Sequence, residues 1–85
     1  MTNIRGSKFE PFTAYLLNSG IDELTLSFNQ IETILGFSLY PSARKHTAYW
    51  HPSKTHMLPK SWIEAGYEMT HLDIQSEIVT LRKIH

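Results

Sequence analysis

The chain has 85 residues, of which 41% are hydrophobic and 19% charged, with eight basic side chains, eight acidic side chains and no cysteine. This length and composition predict one globular domain with a small core, and they exclude a disordered chain, a disulfide framework and thiolate metal sites. The sequence shows no signal peptide and no apolar run near the roughly 18 residues that span a bilayer. We therefore expect a soluble cytoplasmic protein.

The neutral total hides a segregation of charge along the sequence. Residues 9–40 carry four acids and no base, whereas residues 41–62 carry four bases and no acid. If the second block forms one surface, its local field favours an anionic partner. Chance segregation in so short a chain is the alternative.

The first elements are a lead-in, a helix and an extended segment. Residues 1–8 are polar and are expected to be a flexible lead-in to a single compact domain over residues 9–85. Apolar residues at helical spacing follow, and Ser19 and Gly20 are typical of a helix end. The sequence "IDELTL" then predicts a short extended segment.

The stretch "SFNQIETILG" gives the clearest helix signal. Ser27 is a favourable N-cap, and Gln30 three residues later completes a capping box. Gly36 suits the left-handed conformation that ends a helix. A second helix between these residues is predicted.

Two more helices and a hairpin are predicted from the remaining residues. "SARKHTAYW" predicts a helix beginning at Pro41 or Ser42, and "THMLPKSWIEAG" predicts another, with Thr55 as N-cap and Gly66 as its end. The alternating tail "YEMTHLDI" and "EIVTLRKI", joined by a polar turn, predicts a β-hairpin.

The expected fold class is therefore α+β, a small single domain of three to four helices with a C-terminal β-hairpin. The helices over residues 27–36 and 42–50 resemble a helix-turn-helix, and the hairpin would stand where winged-helix domains carry their wing. The alternative is the ordinary alternation of elements in small α+β domains.

Apolar stripes on separate elements predict one shared core. Its expected members are Phe12, Leu16, Phe28, Ile31, Leu35, Trp62, Val79 and Leu81. Ile63 is also expected to face inward and Trp50 to be at least half buried, whereas Tyr49 is expected on an exposed face.

Several motifs resemble a family of small bacterial domains of unknown function. The stretches "LTLSFNQIETILGFSLYPSARKHTAYW", "SWIEAGY" and "HLDIQSEIVTLRK" match its pattern across about residues 10–83, and Ser42-Ala43-Arg44 with Trp62…Ala65-Gly66-Tyr67 are its specific parts. The sequence departs at Tyr49-Trp50-His51, where the family more often has two tryptophans and an asparagine. The resemblance implies a shared fold and a shared site rather than an activity.

The sequence offers little for catalysis or metal binding. His46, His51 and His56 are spaced by five, so a helix would not bring them to one face. His71 and Asp73 are spaced to point the same way on a strand, but no hydrolase, phosphate-loop or dinucleotide motif is present. We expect a non-enzymatic protein without metal or cofactor.

The leading functional hypothesis is a nucleic-acid-binding or regulatory domain that uses residues 42–60. Its candidate contact residues are Ser42, Arg44, Lys45, His46, Tyr49, His51, Lys54 and Lys60. Arg44 has two interpretations, because it could bind an anionic ligand or pair with an internal acid such as Glu32. The alternative function is a protein-interaction module, for example an adaptor or a phage-encoded inhibitor of a host protein. A monomer and a homodimer are both compatible with the sequence.

Overall fold

The computed structural model describes residues 8–51 and 57–84, and it shows a small α+β domain. Within these ranges the helices are α1 (Glu10–Ser19), α2 (Phe28–Leu35) and α3 (Met57–Glu64), and the strands are β1 (Glu23–Ser27), β2 (Tyr67–Asp73) and β3 (Ile78–Lys83). Two 3₁₀ segments, Pro41–Arg44 and Thr47–Trp50, lie between α2 and α3. No helix in this part of the chain has the length and apolarity needed to cross a membrane.

The sheet is antiparallel and has the strand order β1-β3-β2. The predicted C-terminal hairpin is confirmed as β2 and β3, and the predicted extended segment becomes β1 at the other side of β3. Leu24 pairs with Leu81 and Leu26 with Val79, so these side chains share the face that packs against the helices. Thr25 and Thr80 belong to the opposite face, because side chains alternate along a strand.

The core lies between this sheet and the three helices. All eight predicted core residues are buried, with at most 7% of any of them exposed. Ile63 departs from prediction, because 48% of it is exposed. Side chains of consecutive helix residues point about 100° apart, so Ile63 points away from the core because Trp62 points into it.

Both ends of α2 form as the sequence predicts. The Ser27 hydroxyl accepts from the Gln30 amide at 3.0 Å, and the Ser27 amide donates to the Gln30 side chain at 2.8 Å. Gly36 has φ +87°, and its amide donates to the Glu32 carbonyl at 2.7 Å. These local bonds fix the length of α2 and therefore the position of Glu32 on its last turn.

The predicted helix over residues 42–50 is wrong, because the chain forms two 3₁₀ segments there. Ala43, Tyr49 and Trp50 are all buried. In one continuous α-helix Tyr49 would point roughly 120° away from Ala43. His46 instead has extended backbone, with φ −128° and ψ 125°, and this break allows all three side chains to face the core.

Candidate functional site

The Arg44 side chain is held by acids of its own chain. Its Nη2 lies 2.8 Å from Glu32 Oε2, and its Nη1 lies 2.7 Å from Glu77 Oε2. Nη2 also donates to Asn29 Oδ1 at 3.3 Å, and the guanidinium carbon lies 5.8 Å from the centre of the Phe28 ring. Of the two interpretations of Arg44, the structure shows the pairing with internal acids.

Arg44 connects three segments that are distant in sequence. Glu32 lies on α2, Arg44 ends the first 3₁₀ segment, and Glu77 lies in the turn of the hairpin. Glu77 has a φ of +58°, and its carbonyl accepts from the Phe28 amide at 2.9 Å. The hairpin turn therefore meets the first residue of α2 through its backbone and meets Arg44 through its side chain.

Glu32 is held in its charged form by two donors. The Leu39 amide donates to Glu32 Oε2 at 2.7 Å, and together with the hydrogen bond from Arg44 it lowers the pKa of Glu32 below its ordinary value of 4.5. Partial burial opposes this shift but does not reverse it. The ionised carboxylate is thus the form that the fold stabilises.

A pH-dependent contribution to stability follows from the lowered pKa of Glu32. Because the folded pKa lies below the unfolded one, this stabilisation is present above pH 4.5 and is lost as the pH falls through the folded pKa. We expect Glu32→Gln to be less stable than the wild type at neutral pH by about 0.5–1 kcal/mol, since both partners are partly solvated. Urea titrations from neutral pH down to below pH 4.5 should show that the difference in free energy of unfolding between the wild type and Glu32→Gln becomes smaller as the pH falls.

The control for this experiment is Glu64→Gln, which neutralises an exposed carboxylate on α3. Its stability difference from the wild type should show no comparable narrowing. A Glu32→Gln difference that stays constant from neutral pH into acid would contradict the role assigned to the Glu32 carboxylate.

The aromatic part of the predicted site belongs to the core. Trp50 is fully buried, its ring stacks on Phe28 with centres 4.6 Å apart, and its Nε1 donates to the Ala43 carbonyl at 2.7 Å. Tyr49 is only 7% exposed, and burial raises the pKa of its phenol. The prediction of an exposed Tyr49 ring was wrong, because the break at His46 turns it inward.

The other candidate residues differ in their exposure to solvent. Exposed members are Ser42, Lys45, His46 and His51, Lys60 on α3 is half-buried, and Lys54 lies outside the described residues. His51 lines a concavity of about 230 Å³ together with residues of α3 and β2, among them Ile63 and Glu68. Within the cationic block, Arg44 therefore pairs with internal acids, whereas Lys45 stays exposed and Lys60 partly exposed.

One acidic side chain, that of Asp73, has a structural role in the hairpin turn. Asp73 accepts from the Ser76 amide at 3.0 Å, which lowers its pKa and closes the hairpin turn. Residues 8–51 and 57–84 contain no group of three or more His, Cys, Asp or Glu side chains placed to hold a metal ion. His56 lies outside these ranges.

The motifs that carry the family resemblance have structural roles. Ala43 is buried and accepts the Trp50 hydrogen bond, and Gly66 follows α3 with φ +85°. The Tyr67 hydroxyl donates to the Ile21 carbonyl at 2.6 Å, which joins the start of β2 to the chain before β1. These residues of the motifs therefore position elements of the fold relative to one another.

Comparison with known proteins gives the same identification. The family model of a domain of unknown function, DUF7662, matches residues 9–84. No curated protein and no solved structure matches the chain. Because the match covers almost all of its length, the chain belongs to this family of domains of unknown function.

Proposed function

We propose that the domain binds nucleic acid in the manner of a winged helix. The observation that carries this proposal is the order α1-β1-α2-α3-β2-β3 combined with the strand order β1-β3-β2. Winged-helix domains have this order of elements, so the support is an analogy at the level of the fold. By that analogy α3 is the recognition helix and the β2–β3 hairpin is the wing.

The contact surface of the proposal differs from the sequence hypothesis at Arg44 and Tyr49. Arg44 is already balanced by two carboxylates, and Tyr49 is buried, so neither is included. The proposed phosphate contacts are Lys45, Lys54 and Lys60. Ser42, His46 and His51 are further hydrogen-bonding groups of the proposed surface. Three phosphate contacts correspond to a slope of about −2 to −3 in a plot of log affinity against log salt.

Charge removal tests this surface. We expect Lys45→Gln combined with Lys60→Gln to weaken binding of labelled single- or double-stranded oligonucleotides and to make the salt slope shallower by about 2 units. The matched control is Arg82→Gln with Lys83→Gln, which removes the same charge from the end of β3 far from the hairpin turn. Titration at several salt concentrations, with wild type and both variants, gives the slopes directly.

Two outcomes would contradict the proposal. One is the absence of oligonucleotide binding by the wild type at low salt. The other is an equal loss in both double variants, which would indicate a response to net charge rather than to the proposed surface.

A protein-interaction module is the second candidate, and an apolar concavity favours it. This concavity has a volume of about 220 Å³ and is lined by Tyr15, Leu26, Gln30, Thr33 and Ile34 of α1, β1 and α2. Binding that buries such a surface persists as salt rises, whereas binding to phosphates weakens steeply. Titration of an identified ligand at several salt concentrations therefore also distinguishes nucleic-acid binding from protein binding.

A further inference from the structure

Three aromatic rings lie within 6 Å of one ammonium group beside the start of α1. Lys8 Nζ lies 5.6 Å from the ring centre of Phe9, 5.0 Å from that of Phe37 and 4.8 Å from that of Tyr40. The same nitrogen donates a hydrogen bond to the Tyr40 hydroxyl at 2.8 Å. We call Phe9, Phe37 and Tyr40 the aromatic cage.

The cage is held in place by the core rather than by Lys8. Phe9 is 5% exposed and meets Phe37 edge to face with ring centres 5.6 Å apart. Tyr40 meets the buried Tyr49 edge to face at 6.3 Å. Tyr40 itself is 52% exposed and Lys8 is exposed, so the cage is accessible from solvent.

The chemistry of the cage selects an organic cation. Aromatic faces attract cations within about 6 Å, and proteins use several rings around one cation to recognise quaternary ammonium ligands. The Tyr40 hydroxyl adds a preference, because it can accept a hydrogen bond only from an ammonium that retains a proton. A primary ammonium on an alkyl chain satisfies both requirements, as Lys8 shows.

We infer that the aromatic cage is a binding site for a primary alkylammonium group, and that Lys8 occupies it as an internal substitute. The ligand would be a lysine side chain of a partner protein or a free polyamine, since both carry this group. The inference is independent of nucleic-acid binding, because it uses none of the lysines proposed to contact phosphates.

Competition with Lys8 makes the inference quantitative. A ligand can bind only the fraction of molecules in which Lys8 has left the cage. Given the usual strength of an exposed cation–π contact, Lys8→Gln should raise the apparent affinity for an alkylammonium about three- to sixfold. Lys8 is exposed, so the substitution should leave the fold intact, which circular dichroism can verify.

The test is a titration of backbone amide resonances with n-butylammonium and with Nα-acetyl-lysine methylamide. We expect shifts at Phe37 and Tyr40, tighter binding by Lys8→Gln than by the wild type, and loss of binding when Tyr40→Leu or Phe37→Leu is added. Tyr15→Leu in the same Lys8→Gln background is the matched control, because Tyr15 is a partly exposed tyrosine of α1 outside the cage. A matched probe without an ammonium group, Nα,Nε-diacetyl-lysine methylamide, should not bind.

Further titrations with spermidine and with a lysine-containing peptide distinguish the two sources of the ligand, the tighter binder indicating which is recognised. Equal affinity of the wild type and Lys8→Gln for n-butylammonium would overturn the inference. Binding of n-butylammonium that is unchanged after removal of both the Tyr40 and the Phe37 rings would also overturn the inference. The contacts of Lys8 with these rings would then only hold Lys8 itself in place.

Discussion

Trp50→Ala is expected to lower the free energy of unfolding by about 3–5 kcal/mol. Trp50 is fully buried, stacks between Phe28 and Trp62, and donates its indole hydrogen to the Ala43 carbonyl. The substitution removes one of the two largest side chains of the core and leaves a cavity and an unpaired carbonyl. Since a domain of this size has a total stability of about 4–13 kcal/mol, much of it would be lost.

Urea denaturation followed by circular dichroism measures this loss. Trp50→Phe keeps an aromatic ring but removes the donor, and we expect it to cost less than Trp50→Ala, about 1–3 kcal/mol. Ile63→Ala, at an exposed apolar position of α3, is the control and should change stability little. A loss below about 1 kcal/mol for Trp50→Ala would show that the second 3₁₀ segment is not anchored in the core.

Arg44→Ala is expected to destabilise the domain by about 1–3 kcal/mol. The substitution leaves the carboxylates of Glu32 and Glu77 without their cation and removes a side chain that covers Phe28. This loss of stability is smaller than that expected for breaking a fully buried pair, because 20% of the Glu32 side chain and 40% of the Glu77 side chain are exposed.

The neighbouring cation provides the matched control for this prediction. Lys45→Ala removes an exposed lysine next in sequence, and its effect should lie within about 0.5 kcal/mol of zero. A double-mutant cycle with Glu77→Gln measures the coupling between Arg44 and the hairpin turn. Equal effects of Arg44→Ala and Lys45→Ala, together with no coupling to Glu77, would contradict the network.

The elements that the sequence predicts correctly are those whose determinants are local. The capping box of Ser27 and Gln30 and the left-handed Gly36 lie within ten residues of each other. Both features are present in the structure as predicted. The hairpin is similarly local, since alternation and a polar turn specify β2 and β3. The core residues on these elements are predicted because they repeat at the period of their own helix or strand.

The segment over residues 42–50 is not predictable in this way. Its conformation depends on burying Ala43, Tyr49 and Trp50 against elements that are distant in sequence, and a local preference for helix is overridden. Sequence alone shows the apolar content of the segment but not the break at His46.

The candidate site shows the same limit for charge. Residues 41–62 form a block of four bases without an acid in the sequence. In the structure, however, Arg44 of this block pairs with Glu32 of the acidic residues 9–40 and with Glu77 of the hairpin turn. Nothing in the local pattern indicates Glu77, because its position depends on the closure of the hairpin onto α2. A run of like charges along a sequence therefore need not become a patch of like charge on a surface.

The position of β3 in the sheet has a consequence for how the domain folds. β3 is the last strand in sequence and the central one in space, so β1 has no described sheet partner until β3 is in place. Pairing Leu24 with Leu81 requires closure of a loop that includes most of the domain, and such long-range closure slows folding. During synthesis the earlier helices would emerge with their apolar faces uncovered, because the three-stranded sheet cannot form before β3 leaves the ribosome.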